Sequence, residues 1–540
     1  MRYRLMPLVA SLVLALVIAA PARALDLEQA RADGLLVSTA LALGAEGDWD
    51  DAQLVVANSD QLVRDIVLWR KLRAGQGSVA EYQGYVSRRA SWPGGEALAR
   101  VVLGQSNRRS GAGLGGLAAQ NWSEFSRLWK ARNYEEAEAL LISLGSSPAT
   151  LGDATVWADR RLSLARRAAR DGRWQNAYAV ASLHGLTPSA GYDYADSEWV
   201  AGWVALRKLG NADAAVGHFQ RFRAAVETPI SIGRGGYWLG RAYEALGRQQ
   251  EANAAYADAA TQQTSFYGQL AAAKIGATGD LRLTNDGLPD WRRHPAMRSE
   301  DVRLATVLHF AGEDTLSMAT FSSLGRSLPP GALAPLTRLA LDLGKPHFSV
   351  RIAKRAARRG VVIHPAYYPL HDLKDYVTKV EPAFALSIAR QETELNPLAI
   401  SRAGARGLMQ LMPATARRVS GWIGEEYDRG RLLTDWRYNT RLGETYLARR
   451  TEQFGGSYVM AAAAYNAGAG RVDQWIDAYG DPRLGEIDVL DWMEQIPFNE
   501  TRNYVQRVME GLYVYRARLT GTAGPMTIEQ DLRRGFRVVQ

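Results

Sequence analysis

A single glutamate, Glu392, combines a titratable carboxyl group with an apolar setting, as a general acid requires. Residues 382–396 are predicted to form a helix that ends before the following proline, because the residue preceding a proline is pushed out of helical geometry. At about 100° per residue, Glu392 lies above Ile388 and Ala389. Glu394 points roughly the other way. Since burial raises the pKa of a carboxyl group toward the working range of a general acid, we expect Glu392 to be the partly desolvated acid of the two.

A lone glutamate near a helix end is more often an ordinary surface residue, so the case for Glu392 depends on its context. Three further blocks follow it in the chain: 404–416, 461–470 and 496–505. The first pairs a glycine-rich turn, where backbone can approach a ligand closely, with a helix that opens at Pro413, a favoured first helical position. The second is a helix of small residues that ends at glycines, with the hydroxyl of Tyr465 and the amide of Asn466 at its tip, groups suited to sugar recognition. The third has polar residues that open a closing helix.

Together, and in this order, the blocks resemble the soluble lytic transglycosylases, a family whose catalytic domain is similar to goose-type lysozyme. The family's Arg-Gln-Glu-Ser motif is matched by residues 390–393, where threonine replaces the commoner serine and keeps its hydroxyl. The resemblance covers essentially the whole chain, with specific motifs in the catalytic segment and only architectural likeness before it. It implies these roles: Glu392 as the acid/base, Gln410 and Met412 in the lining of a glycan cleft, Tyr465 beside the glutamate, and Glu500 as a substrate contact. The side-chain chemistry of Tyr465 and Asn466 makes both of them predicted substrate-binding residues as well.

The resemblance also implies a reaction, the cleavage of peptidoglycan glycan strands by one carboxyl group that works twice. Glu392 would protonate the oxygen between N-acetylmuramic acid and N-acetylglucosamine, and would then take the proton from the C6 hydroxyl as that oxygen closes on C1. The product is a 1,6-anhydromuramoyl end, and neither water nor a cofactor is needed. Glycosidases usually use two carboxyl groups, but no second acidic residue of this chain holds an equally marked position.

Two other functions stay open at this point. The same fold could hydrolyse the glycan, as a lysozyme-type muramidase, or the chain could be a non-catalytic helical-repeat scaffold that binds peptidoglycan.

Several chemistries are excluded by the residues themselves, because the chain has no cysteine and no histidine after His371. The catalytic segment therefore has no thiolate nucleophile, no Ser-His couple and no histidine metal site. No phosphate-binding glycine loop that ends in Lys-Ser or Lys-Thr is present either.

Residues 1–24 predict export to the periplasm, because a short basic start is followed by an apolar run and an Ala-Arg-Ala cleavage site. The alternative is an uncleaved membrane anchor, but the run is shorter than the ~20 residues that a spanning helix needs. We expect a mature chain without a membrane segment.

The whole sequence has a formal net charge of +9, which favours an acidic polymer as partner. In an exported protein peptidoglycan fits better than nucleic acid; partner enzymes stay unknown.

The predicted fold class is all-α, in three parts. Residues 25–290 show helical periodicity and a weak repeat in which a glycine is followed five residues later by an alanine. The copies are Gly47/Ala52, Gly172/Ala177, Gly210/Ala215 and Gly247/Ala252. In the last copy a set of six residues has the spacing of a tetratricopeptide-like helix pair: Leu239, Gly240, Tyr243, Ala252, Tyr256 and Ala259. This predicts an α-superhelical solenoid or ring domain, with ordinary helical packing as the alternative. Residues 291–364 are expected to form a small helical linker domain, and 365–540 a lysozyme-like catalytic domain.

Overall fold

The computed structural model describes residues 25–94, 98, 115–284 and 287–536. Across these ranges the secondary structure consists of α-helices and short 3-10 turns, and β-pairing is limited to three isolated bridges. The predicted all-α class is confirmed. The predicted signal peptide, residues 1–24, lies outside the described residues. Among the helices of the described ranges, none has both the length and the apolarity needed to cross a bilayer.

The helices of the described ranges are numbered here in chain order. Those of the first half are α1 (Leu27–Glu46), α2 (Trp49–Val55), α3 (Gln61–Arg73), α4 (Val79–Arg89), α5 (Gly116–Lys130), α6 (Tyr134–Leu144), α7 (Pro148–Leu151), α8 (Ala158–Arg170), α9 (Trp174–Ser182), α10 (Tyr192–Arg207), α11 (Ala212–Ala224), α12 (Pro229–Ala245), α13 (Gln249–Ala260) and α14 (Phe266–Lys274). Those of the second half are α15 (Glu300–Phe310), α16 (Asp314–Ser327), α17 (Pro330–Asp342), α18 (Pro346–Ala357), α19 (His364–Tyr367), α20 (Pro382–Thr393), α21 (Pro413–Trp422), α22 (Arg431–Thr434), α23 (Trp436–Gln453), α24 (Tyr458–Ala467), α25 (Ala469–Tyr479), α26 (Val489–Gln495), α27 (Asn499–Thr520) and α28 (Ile528–Leu532).

Packing divides the chain into two compact units, and the first lies within Met1–Gln105 and Asp290–Leu324. Its core contains Trp69, whose ring meets that of Trp92 edge-on at 5.3 Å. The second unit lies within Ser106–Pro289 and Gly325–Gln540 and contains all the predicted site residues. This division follows contacts between distant segments, whereas the predicted boundaries at residues 290 and 364 follow composition, and those boundaries stay a prediction.

The glycine and alanine repeat corresponds to helix pairs in contact. In the last copy, Gly247 has a φ of 70°, in the left-handed region that suits glycine, and Ala252 is fully buried. A Cβ on Gly240 would lie 2.6 Å from Cδ1 of Tyr256, so the small residue lets α12 and α13 approach around that ring. The other copies show the same combination of a positive-φ glycine and a fully buried alanine: Gly47/Ala52, Gly172/Ala177 and Gly210/Ala215.

The helix predicted over 382–396 is shorter than expected, because α20 ends at Thr393. Glu394 and Leu395 take left-handed backbone, with φ values of 57° and 70°. This reversal places the Leu395 side chain in the core, where it is fully buried. The prediction was wrong about the end of the helix because burial of Leu395 turns the chain before the proline can act.

Candidate active site

Glu392 lies in the last turn of α20, on the face that the sequence predicted. Ile388 and Ala389, on the same stripe, are fully buried, and Glu392 itself is half-buried. Burial is the largest of the influences that raise the pKa of Glu392 to about 7; a hydrogen bond from Tyr504 lowers it, and the charge of Glu500 raises it. A carboxyl group with a pKa near 7 can both give and take a proton at neutral pH.

Tyr504 is the group that the sequence analysis missed. Its hydroxyl, on α27, donates to Oε1 of Glu392 at 2.8 Å. Burial and the neighbouring Glu392 charge raise the pKa of Tyr504 well above its usual value, so the phenol stays a donor. One signal could have found it: Tyr504 follows Glu500 by four residues, so both lie on the same face of the closing helix.

Tyr465 also lies beside Glu392, as the resemblance implied, near the end of α24. Its hydroxyl donates to the carbonyl oxygen of Met409 at 2.8 Å. Burial raises the pKa of Tyr465 well above its ordinary value, and the charge of Glu392 adds to this effect. The two phenols thus have different partners, since Tyr504 donates to the carboxyl group and Tyr465 donates to the loop that contains Met409.

The loop that contains Gly407 is built around one buried amide, that of Asn439 on α23. The Asn439 Nδ2 donates to the carbonyl oxygens of Arg406 at 2.9 Å and Leu432 at 3.1 Å, and its Oδ1 accepts from the Met409 N–H at 2.8 Å. Gly407 has a φ of 79°, and a Cβ there would overlap the Leu432 carbonyl and lie 2.8 Å from the Asn439 Cγ. No local sequence signal marks Asn439, because it lies far along the chain from the loop that it holds.

The two predicted cleft residues of this loop differ in what their side chains do. Gln410 has a φ of 50°, and its Nε2 donates to the carbonyl oxygens of Ala399 at 3.1 Å and Gly407 at 3.0 Å, so its amide N–H groups stabilise the loop itself. Met412 is 42% exposed and precedes the first residue of α21. Met412 therefore has surface open to solvent, and the helix begins at Pro413 as predicted.

Asn466 and Glu500 lie at the facing ends of two helices. The Oδ1 of Asn466, on α24, accepts from the Thr501 Oγ1 at 2.7 Å, so its carbonyl oxygen ties α24 to α27. Glu500 is exposed and sits in the first turn of α27. Its negative charge raises the pKa of Glu392. Glu500 is thus a carboxylate that makes the Glu392 carboxyl group harder to ionise.

Glu394 has a separate role, as its predicted direction indicated. Burial would raise the pKa of Glu394, but the charges of Lys354 and Arg351 bring it below its usual value. The Lys354 Nζ donates to Oε1 of Glu394 at 2.7 Å. Glu394 is therefore a paired anion that anchors the end of α20 to α18.

The hydroxyl of Thr393, the group that threonine shares with the commoner serine of the motif, forms a hydrogen bond across the site. It donates to the Leu408 carbonyl oxygen at 2.9 Å and so joins the end of α20 to the loop that contains Gly407.

Within the described ranges, no group of three or more histidine, aspartate or glutamate side chains has an arrangement that could hold a metal ion.

Comparison with known families gives this arrangement a context. Residues 374–484, which carry Glu392 and Tyr465, match the family described as the transglycosylase SLT domain. This segment is a transglycosylase SLT domain. Residues 495–523, which carry Glu500 and Tyr504, match the soluble lytic transglycosylase helical domain. The hydrogen bond between Tyr504 and Glu392 therefore joins the SLT domain to the helix that follows it.

Relatives and solved structures agree with the domain match. The chain is 32% identical over 286 residues to the soluble lytic murein transglycosylase of Escherichia coli K12, a match that covers 52% of this chain and 43% of that protein. The chain thus spans less than half the length of the curated relatives it matches. The structure of the 70 kDa soluble lytic transglycosylase of E. coli superimposes with a TM-score of 0.56 at 19% identity, over 95% of this chain and 100% of that one. The lytic transglycosylase Slt of Pseudomonas aeruginosa, solved as an inactive Glu→Gln mutant, gives 0.51 at 23% identity, over 91% and 87%. These likenesses show a shared fold beyond the SLT domain.

Proposed function

We propose that this protein is a lytic transglycosylase that cleaves the bond between N-acetylmuramic acid and N-acetylglucosamine in peptidoglycan and leaves 1,6-anhydromuramoyl ends. The observation that carries the proposal is the setting of Glu392, a half-buried carboxyl group with a pKa of about 7 that accepts a hydrogen bond from Tyr504. The SLT domain match and the relatives named as murein transglycosylases support the substrate class. The P. aeruginosa relative is inactive as a Glu→Gln mutant, which supports a single essential glutamate.

In the proposed mechanism Glu392 acts first as an acid. Its proton passes to the glycosidic oxygen, the bond from C1 to that oxygen breaks, and the released N-acetylglucosamine keeps the proton as a hydroxyl. The substrate's own 2-acetamido group stabilises the positive charge that develops at C1. Since the hydrogen bond from Tyr504 favours the charged form of the carboxyl group, it stabilises Glu392 once the proton has left.

In the second step Glu392 acts as a base. The C6 hydroxyl oxygen of the same sugar bonds to C1, and its proton passes to the Glu392 carboxylate, which restores the starting state. Water is not a reactant, and the atoms balance without a cofactor. In this scheme Met412 and Glu500 contact the glycan, whereas Gln410 and Asn466 shape the cleft through the backbone and side-chain hydrogen bonds described above.

The proposal extends to the setting of the enzyme. We place the protein in the periplasm after removal of residues 1–24, with an α-superhelical domain over 25–290, a helical linker over 291–364 and the catalytic domain over 365–540. The positive charge of the chain suits the carboxylates of the stem peptides in peptidoglycan.

Mass spectrometry of the products from purified sacculi tests the function. A transglycosylase releases anhydro ends, which are lighter by one water than hydrolysed ends. Hydrolysed ends alone would identify a muramidase and overturn the proposal. Binding of sacculi without any release of products, by wild type and by Glu392→Gln alike, would identify the non-catalytic scaffold.

A further inference from the structure

Glu494 is a fully buried carboxylate outside the catalytic cleft, and three arginines surround it. The Arg234 Nη2 lies 3.4 Å from its Oε1, while the Arg166 Nη1 lies 3.7 Å and the Arg502 Nε 3.6 Å from its Oε2. The Glu494 side chain has no exposed surface. A charge so buried must be paired and hydrogen-bonded to persist, and here the arginines outnumber it.

Neutral donors complete the shell of Glu494. The Tyr267 hydroxyl donates to its Oε1 at 2.8 Å, and the Gln506 Nε2 donates to the same oxygen at 3.0 Å. Asp196 lies 3.5 Å from the Nη1 of Arg234 and adds the second negative charge of the cluster. With three arginines and two carboxylates the cluster has a net charge of +1, and loss of the Glu494 charge raises it to +2.

These side chains come from two distant parts of the chain. Arg166, Arg234 and Tyr267 lie on α8, α12 and α14, within the segment predicted as the superhelical domain. Glu494 lies on α26, and Arg502 on α27, next to the catalytic groups. One carboxylate therefore fastens the helix of the catalytic segment to three helices of the preceding array.

Arg502 connects this cluster to the acid. Its Nη1 donates to the Ile496 carbonyl oxygen at 3.0 Å and its Nη2 to the Asn499 Oδ1 at 2.6 Å, so it holds the turn that leads into α27. Burial, reinforced by the charge of Arg166, lowers the pKa of Arg502 to about 9, while Glu494 counteracts this. Tyr504, which donates to Glu392, is only two residues further along the same helix.

We propose that Glu494 is a positioning residue for the catalytic acid, through which the preceding helical array sets the first turn of α27 and so the distance between Tyr504 and Glu392. This inference rests on the proposed function of Glu392. Loss of the Glu494 charge leaves the arginines to repel one another, and the easiest relief is movement of Arg502 with its turn. Glu392 then gains water, which lowers its pKa, and its hydrogen bond from Tyr504 weakens, which raises its pKa. Because burial is the largest of these influences, the net change is a fall toward the ordinary value.

Two variants and two matched controls test the proposal in the full chain. Glu494→Gln removes the charge, and Tyr267→Phe removes one hydrogen bond to Glu494 without changing the volume. The control for the first is Glu138→Gln, a glutamate that is equally buried and paired with Arg173 at 2.8 Å on the array. The control for the second is Tyr243→Phe, whose hydroxyl accepts from Gln220 at 2.9 Å. Each is measured below its own unfolding transition.

The readouts are the pH profile of kcat/KM on sacculi and the carboxyl titration of Glu392 by ¹³C NMR, assigned by its loss in Glu392→Gln. We expect Glu494→Gln to lower kcat by about tenfold or more and to move the alkaline limb and the NMR titration at least about half a pH unit downward. Tyr267→Phe should shift them in the same direction by less. The controls should lose stability and leave both titrations in place.

An unchanged Glu392 titration in Glu494→Gln and in Tyr267→Phe would overturn the inference, as would equal shifts in the controls. If Glu494→Gln does not fold, Tyr267→Phe decides alone. The NMR titration needs no turnover, so it separates this inference from the proposed function. An inactive wild type with a shifted Glu392 titration in the variants would reject the function and keep the positioning role.

Discussion

The hydroxyl of Tyr504 donates a 2.8 Å hydrogen bond to Oε1 of Glu392, although 112 positions of sequence separate the two residues. Burial raises the pKa of the carboxyl group, and this bond lowers it by favouring the charged form. The resulting pKa of about 7 depends both on the burial of α20 and on groups of α27. Substitutions of these groups should therefore shift the pH dependence of activity in a direction that can be stated in advance.

Replacing the acid tests the assignment directly. Glu392→Gln keeps the size of the side chain and an oxygen that can accept from Tyr504, but its amide has no acidic proton to transfer. We therefore expect activity on sacculi to fall by about 10²- to 10⁴-fold. The measurement is the initial rate of anhydromuropeptide release. Glu394→Gln is the matched control because its partners are Lys354 and Arg351. It should lose stability and keep catalysis; an equal loss of activity in both variants would contradict the assignment.

The raised pKa of Glu392 also makes stability depend on pH. Between the unfolded pKa, about 4.5, and the folded pKa, about 7, the folded protein binds more protons than the unfolded chain. Stability therefore falls as pH rises through this window. Glu392→Gln has no carboxyl group to ionise at this position, so its free energy of unfolding does not fall for this reason as the pH rises. It should exceed wild type in free energy of unfolding by up to about 3 kcal/mol at pH 8 and by little at pH 4. Urea unfolding at the two pH values checks the sign, and a gap that does not grow with pH would rule out the raised pKa.

Two substitutions on α27 should shift the activity profile in opposite directions. Tyr504→Phe removes a hydrogen bond that lowers the pKa of Glu392, so the alkaline limb of kcat/KM should move to higher pH. Glu500→Gln removes a charge that raises this pKa, so the limb should move to lower pH. Rates measured across pH 5 to about 9 would show the pair of shifts, since the general acid must be protonated to act. Shifts of the same sign would show that both variants merely open the site to water.

In the loop that contains Gly407, substitution by alanine should be far more destabilising at Gly407 than at Gly404. Both glycines have a positive φ, 79° and 91°, so alanine is strained at either position. Only at Gly407 would the new Cβ also meet the Leu432 carbonyl and the Asn439 amide, whereas nothing lies within 4 Å at Gly404. We expect Gly404→Ala to cost about 1 kcal/mol and Gly407→Ala about 3 kcal/mol or more. Thermal unfolding of both variants would show the difference, and equal costs would mean that the contacts around Asn439 yield easily.

Periodicity was enough to place Glu392 on its buried stripe, because the buried Ile388 and Ala389 of that stripe are four and three residues away on one helix. The start of α21 at Pro413 and the end of α24 beside Gly468 were likewise local features that the sequence predicted. The fold class followed from the same regularity. These parts of the structure depend on contacts between residues close in sequence.

The rest depends on contacts between distant segments, which one sequence does not reveal. Asn439 holds the loop around Gly407 from another helix, and Tyr504 reaches Glu392 from the closing helix. The early end of α20 has the same origin, since burial of Leu395 outweighs the local rule about proline. Local pattern therefore predicted the position of Glu392, the proposed acid, and tertiary packing supplied the groups that shift its pKa.

The reach of the bond between Glu392 and Tyr504 has a consequence for the order of events during synthesis. A growing chain that already contains Glu392 still lacks the helix that adjusts its acidity, and it must be extended by a further 112 residues before that helix can dock. Until then α20 lacks the packing of α27 against it, and burial is the largest of the influences that raise the pKa of Glu392. The carboxyl group would thus acquire its raised pKa only late in the assembly of the chain.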